Sequence, residues 1–254
     1  LFSALGLLLG MVMISLSLLS VSLSTQRYAI PTKPAAQSAQ PQAEIAPPPP
    51  PTFHAVVPTK APYSGKLDTP APIISSKTSP DVLARRAKGN PNAPIVIDEW
   101  FDYQCPACRT VGTKVEPALE QYVVSGKVRF VYHNSPFLGP ESFLAAEAAE
   151  CASDQGRYQE YRALLLQRQS GENRGIFNPD SLKGIAAELG LKQETFTACL
   201  DQRVHRELIQ AEAQEADSIG IMAVPSLFIN GRPVEGVPSV DRMSKLIDEE
   251  LGRR

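Results

Sequence analysis

Two cysteines, Cys105 and Cys108, are separated only by Pro106 and Ala107, and Trp100-Phe101-Asp102-Tyr103-Gln104 leads into them. A cysteine at the first turn of a helix faces unpaired backbone N–H groups and the positive end of the helix dipole. Both favour thiolate over thiol and lower the pKa. A thiolate is the species that attacks disulfides, so this spacing suits thiol–disulfide exchange.

The flanks supply the elements that such a site needs. Upstream, Ile95-Val96-Ile97 is a β-branched apolar run bounded by Asn90, Pro91 and Pro94, which suits a buried strand. Downstream, Val111, Val115, Leu119 and Val123 recur every four residues as a helical stripe. Cys105 then falls at the helix N-terminus, with Pro106 at the first helical position, where a missing N–H costs nothing. Pro117 is expected to kink this helix, and Gly126 to end it.

The 254-residue chain carries 25 Lys and Arg against 27 Asp and Glu, a net charge of -2. That balance argues against a nucleic-acid-binding surface. Leu1 to Ser24 holds no charged side chain, and Arg27 is the first charge. At about 1.5 Å per residue, such a helix spans roughly 36 Å, enough for a bilayer core of about 30 Å. The length favours a single-span anchor. The other reading is a signal peptide, with Ser22 and Ser24 as small residues for cleavage. Either places the remainder outside the cytoplasm, in the periplasm or cell envelope, where disulfides persist. From Thr25 to Pro80, closely spaced prolines among Ala, Gln, Ser and Thr read as a disordered tether. Extended, it reaches roughly 170 Å at about 3.1 Å per residue.

The foldable part runs over 81–254. Val128 to His133 alternates as a second strand. A helical block follows over about 139–218: Glu141–Ser153, Arg157–Gln169 with Tyr158, Tyr161, Leu164 and Leu165 on one face, a helix capped by Asn178, then Thr195–Leu200 and Val204–Ser218. Ser226 to Ile229, the Asn230-Gly231 turn and Arg232 to Val234 read as a hairpin, and Pro233 places the second strand at a sheet edge. Ser239 opens a last helix. The order is that of an α/β fold with one crossover interrupted by an inserted helical subdomain.

Glu-Trp-Phe-Asp-Tyr-Gln-Cys-Pro-Ala-Cys, the helical insertion, and Ala-Val-Pro-Ser-Leu-Phe-Ile-Asn-Gly together resemble the DsbA-like branch of the thioredoxin superfamily. The resemblance covers about Pro91 to Glu250 and implies a thioredoxin fold acting as a thiol:disulfide oxidoreductase, with no cofactor. It implies roles residue by residue. Cys105 is the attacked, partly exposed cysteine, and Cys108 its buried partner. Pro225 matches the family's cis-proline, and Val224 before it offers backbone to an extended substrate strand. Glu99 matches the buried acid beneath the cysteines, able to take the Cys108 proton. Pro106 and Ala107 line the substrate approach and set the redox poise. Family members with Pro-His at these two positions are oxidising, and alanine removes a ring that helps to stabilise the thiolate.

Cys151 and Cys199 fall in separate helices of the insertion, and the bland reading is a staple between them. A second shuttle pair is the alternative. His54, His133 and His205 are scattered, without zinc-ligand spacing toward the cysteines. Three functions remain open. The first is oxidation of cysteine pairs in exported proteins. Its reoxidation by a quinone-linked membrane partner, DsbB-like or VKOR-like, is implied by the resemblance. The second is reduction or isomerisation on the same fold. The third is a tethered dithiol module that binds metal.

Overall fold

The computed structural model describes residues 77–253. The apolar anchor expected over 1–24 and, but for its last four residues, the tether expected over 25–80 lie outside the described residues; within those four, Thr78 bonds Glu212 and Pro80 opens a helix, so the disordered reading does not hold there. Among the described residues, no helix is long and apolar enough to cross a membrane.

The core is a five-stranded sheet. β1 (Lys88–Gly89), β2 (Ile95–Phe101), β3 (Val128–Asn134), β4 (Ser226–Ile229) and β5 (Arg232–Val234) lie in the order β1-β3-β2-β4-β5. β2 and β3 run parallel, and the other pairings are antiparallel. The parallel pair requires a crossover. Helices α2 (Pro106–Thr110), α3 (Glu116–Ala118) and α4 (Glu120–Val124) supply it. Strand alternation sets the faces. Ile95, Ile97, Glu99 and Phe101 share one face of β2. Trp100 takes the other, where it packs with Ala216, Ile221 and Phe228.

Pro117 does not make the expected kink. The helix loosens earlier, into a π-helical turn at Val111–Val115, and Pro117 sits at the start of α3, where it needs no donor. The real break is at Leu119, whose φ of -95° and ψ of 5° leave the helical region. The hairpin forms at Asn230-Gly231, with φ of 47° and 77° at those two residues. That left-handed pair is the reason for Asn-Gly at a two-residue turn. β5, which holds Pro233, is an edge strand.

The helical insertion comprises α5 (Pro140–Ser153), α6 (Tyr158–Arg168), α7 (Pro179–Glu188), α8 (Gln193–Asp201) and α9 (Arg206–Ser218). Asn178 caps α7 by accepting the Ser181 N–H at 2.9 Å. The buried face of α6 is Tyr158, Tyr161, Arg162, Leu165 and Leu166, so an arginine stands within the stripe and Leu164 lies only partly inside. The last helix, α10 (Val240–Gly252), is capped by Ser239 and buries Met243 and Ile247.

Two elements have no strong sequence pattern. α1 (Pro80–Arg86) and the two-residue β1 precede the core. Arg86 closes α1 fully buried, with Nε 2.6 Å from Glu150 of α5 and Nη1 2.5 Å from Glu212 of α9. Glu212 also accepts from Asn134 at 2.9 Å and from the Thr78 hydroxyl at 3.0 Å.

Candidate active site

The loop between β2 and α2 is fixed from below by Asp102. Its Oδ1 accepts the Gln104 N–H at 2.8 Å and the Ser142 hydroxyl at 2.7 Å. Its Oδ2 accepts the Phe137 and Leu138 N–H groups at 2.9 and 3.1 Å. Four donors saturate the carboxylate, although burial still pushes its pKa up. The Gln104 amide donates to Ser142 at 2.8 Å, and that of Gln169 to the Tyr103 carbonyl at 2.7 Å. Ser142 belongs to α5 and Gln169 ends α6, so the inserted helices hold the cysteine loop in place.

Cys105 is the N-cap of α2, and its sulfur accepts the Cys108 N–H at 3.3 Å. Its thiol also lies 3.4 Å from the Val224 carbonyl, which it meets as a donor. The Val224–Pro225 peptide is cis. Pro106 is exposed and Ala107 half-buried beside the sulfur. Cys105 is 6% exposed and Cys108 wholly buried.

The two thiols are driven apart in acidity. The Cys105 pKa is lowered, first by the hydrogen bond from the Cys108 thiol, against the cost of burial, then by the N–H groups of Cys108 and Ala107. Burial pushes Cys108 well up, and the hydrogen bond it gives to Cys105 adds to that. One sulfur is thus built to be a thiolate and the other to hold a proton.

Glu99 lies in the core, not on a solvent face. It shares its strand face with Ile97 and Phe101, is fully buried, and stands opposite Tyr132 and Leu227 in the neighbouring strands. Burial pushes its pKa up to about 8; Arg162 pulls it down, and Glu116 and Cys105 push it up again. Arg162 of α6 donates from Nη2 to Glu99 Oε2 and from Nη1 to Glu116 Oε2, both at 2.8 Å. Its guanidinium carbon sits 3.9 Å from the Tyr132 ring centroid and 4.9 Å from that of Phe101. Glu116 also accepts the Tyr132 hydroxyl.

Sequence reasoning missed Arg162, Glu116 and Asp102. The available signal was an arginine within the apolar stripe of α6, since a buried cation demands carboxylates.

Cys151 and Cys199 are joined, with a Cα–Cα distance of 5.9 Å, tying α5 to α8. Cys105 and Cys108 are free thiols. His205 lies beside the disulfide and pairs with Asp154 at 2.7 Å. His133 bonds Asp98 at 2.9 Å and stacks on Trp100 at 4.4 Å. Neither histidine is brought to the cysteine pair.

A family model described as thioredoxin matches residues 82–249. A probable disulfide bond formation protein D of Bacillus cereus is 31% identical over 172 residues, which cover 66% of this chain and 79% of that protein. The oxidised crystal structure of BdbD from Bacillus subtilis superposes with a TM-score of 0.63 at 23% identity, covering 69% of this chain and 96% of that one. Wolbachia pipientis alpha-DsbA1 superposes at 0.60 with 24% identity, over 66% and 91% of the two chains. These structural likenesses extend to the fold.

Proposed function

The chain belongs to the thioredoxin family, as a DsbA-like thiol:disulfide oxidoreductase, and from that premise we propose that it donates disulfides to cysteine pairs in exported proteins. The observation that carries the reading is the acidity split within the pair. The Cys105 sulfur receives the helix N–H groups while Cys108 is sealed in the core. A stabilised Cys105 thiolate favours the reduced pair, which makes the disulfide form a stronger oxidant.

In the first step a substrate thiolate attacks Cys105. A substrate–Cys105 disulfide forms, the Cys105–Cys108 bond breaks, and the electron pair leaves on Cys108. Glu99, protonated at neutral pH, gives its proton to that buried thiolate and becomes a carboxylate. A second substrate thiolate then attacks the substrate sulfur. Cys105 departs as a thiolate, stabilised where it lies, and the substrate leaves oxidised. Two electrons have passed to the pair. The Val224 backbone beside the sulfur holds the incoming chain extended, and Pro106 and Ala107 form the other wall of the approach.

Oxidation of the spent pair falls to a quinone-linked membrane protein of the DsbB-like or VKOR-like kind. The uncharged stretch 1–24 supports anchoring to the membrane, and 25–76 supports a long tether, with the catalytic domain in the periplasm or envelope.

The test is the Cys105–Cys108 reduction potential against a glutathione buffer. A value toward about -120 mV supports a disulfide donor; a value near about -270 mV makes the chain a reductase and sinks the proposal. Replacing Cys105 by Ser should abolish exchange, and retained exchange would sink both directions.

A further inference from the structure

Beneath the cysteine pair, one cation serves two buried carboxylates, and the two are not served alike. Glu116 Oε2 receives Arg162, and its second oxygen receives the Tyr132 hydroxyl. Glu99 Oε2 also receives Arg162, but its Oε1 is buried with no hydrogen-bond partner. All three charged side chains are almost wholly buried. Two carboxylates in a dry site with one fixed positive charge cannot both stay ionised at low cost; a proton relieves the excess. It goes to the carboxylate whose oxygen is bare.

We propose that Arg162 and Glu116 are positioning residues which assign the exchangeable proton of this site to Glu99, so that an arginine of the inserted helical block and a glutamate of the crossover together set the protonation of the acid serving Cys108. The inference rests on the reading that Glu99 exchanges a proton with Cys108. Arg162 suits the role because a guanidinium keeps its charge and reaches two carboxylates from one plane. The rings of Tyr132 and Phe101 hold that plane. Gly112, in the π-helical turn, lies against the guanidinium: a Cβ there would stand in ordinary contact, 3.5 Å from Nη2.

The titratable groups around Glu99 are few. α6 presents Arg162 and Tyr158, and α3 presents Glu116. β3 presents Tyr132, and the α2 start presents Cys105 and Cys108, with Asp102 behind. Leu227 faces Glu99 from β4. Burial raises the three nearby thiol and phenol groups of Cys108, Tyr132 and Tyr158, so Glu99 is the group among them suited to titrate near neutrality.

The roles predict opposite shifts from two substitutions. Glu116→Gln keeps shape and an acceptor for Tyr132 but removes the competing charge. Arg162 then pairs with Glu99 alone and the Glu99 midpoint falls. Arg162→Met removes the cation, and the midpoint rises. The measurement is a carboxyl-carbon NMR titration of the full chain with Cys105–Cys108 oxidised, the Glu99 signal being assigned by its loss in Glu99→Gln. The expected result is a midpoint at least one pH unit lower in Glu116→Gln, a tenfold change in the proton equilibrium, and higher in Arg162→Met.

An unchanged Glu99 midpoint in Glu116→Gln overturns the proposal, as does the finding that Glu116 is the group titrating near neutrality in the parent chain. If Arg162→Met fails to fold, Glu116→Gln decides alone. The parent reading fails separately. If Glu99→Gln leaves the rate and pH profile of exchange unchanged, Glu99 does not serve Cys108, whatever the carboxyl titration gives.

Discussion

Removing the Cys151–Cys199 bond should cost stability and leave the chemistry intact. The bond closes a loop with a sequence separation of 48 residues between α5 and α8. In the chain-entropy model, a loop of that length restricts the unfolded chain by about 4 kcal/mol at 25 °C, an upper figure because real unfolded chains are already compact. A folded unit of this size loses about 2–4 °C of melting temperature per kcal/mol, so the full effect is about 8–16 °C. Cys151→Ala with Cys199→Ala is the suitable pair, because Cys151 lies in a buried, alanine-rich helix where a serine hydroxyl would be stranded. The assay is thermal unfolding by far-ultraviolet circular dichroism, alongside the thiol–disulfide exchange rate of the folded variant at 25 °C. A melting temperature within about 2 °C of the parent refutes the staple argument, since even half of the entropic term exceeds that. Loss of exchange with an unchanged melting temperature points instead to a second shuttle pair.

Cys108→Ser should trap a mixed disulfide on Cys105 when incubated with a disulfide-bonded client peptide: the Cys105 thiolate bonds one client sulfur, the client disulfide breaks and the other client sulfur leaves as a thiolate, visible as a mass increase; no adduct would contradict the assignment of Cys105 as the exchanging sulfur. Gly112→Ala should cost about 1 kcal/mol in denaturant unfolding, because its Cβ would fall 2.5 Å from the buried Leu166 Cδ1, which must swing aside. Asn178→Ala should cost about 1 kcal/mol by removing the cap of α7. For pH, Glu99 holds its proton in the folded chain up to about 8, against 4.5 in an ordinary setting. The folded state binds the extra proton between those values. The contribution of Glu99 to stability is therefore full below about pH 4.5 and is lost as pH rises to about 8. Stability measured relative to Glu99→Gln should decline across that window; a flat or rising difference refutes the buried, protonated acid.

Much of the site is legible because it is local. The positions of Cys105, Pro106 and Cys108 follow from helix capping, and Asn230-Gly231 announces its own turn. Glu99 enters through the resemblance alone, and strand parity with Ile97 is the physical reason that it lies on the buried face. What the sequence hides is assembled across distance. Arg162 lies 63 residues from Glu99 and 46 from Glu116, and although its place in the apolar stripe of α6 marks it as buried, its local setting, Tyr-Gln-Glu-Tyr-Arg-Ala-Leu, does not name those two partners. Asp102 binds backbone N–H groups at Phe137 and Leu138, donors that no side-chain pattern reveals. α1 and β1 escape because seven and two residues are too short to show a period, and a buried Arg86 imitates a surface charge.

The Arg86 cluster gives this domain a mechanical character. Where the described chain begins, Thr78 and Arg86 are fastened to Glu212 and Glu150 before any strand is reached. A pull directed along the chain from that end loads these contacts with α5 and α9 first. β2, with the cysteine loop at its far end, is shielded until the clasp and the short β1 pairing have yielded. The clasp acts as strain relief, as at the collar of a cable, taking up traction on the chain before it reaches the site.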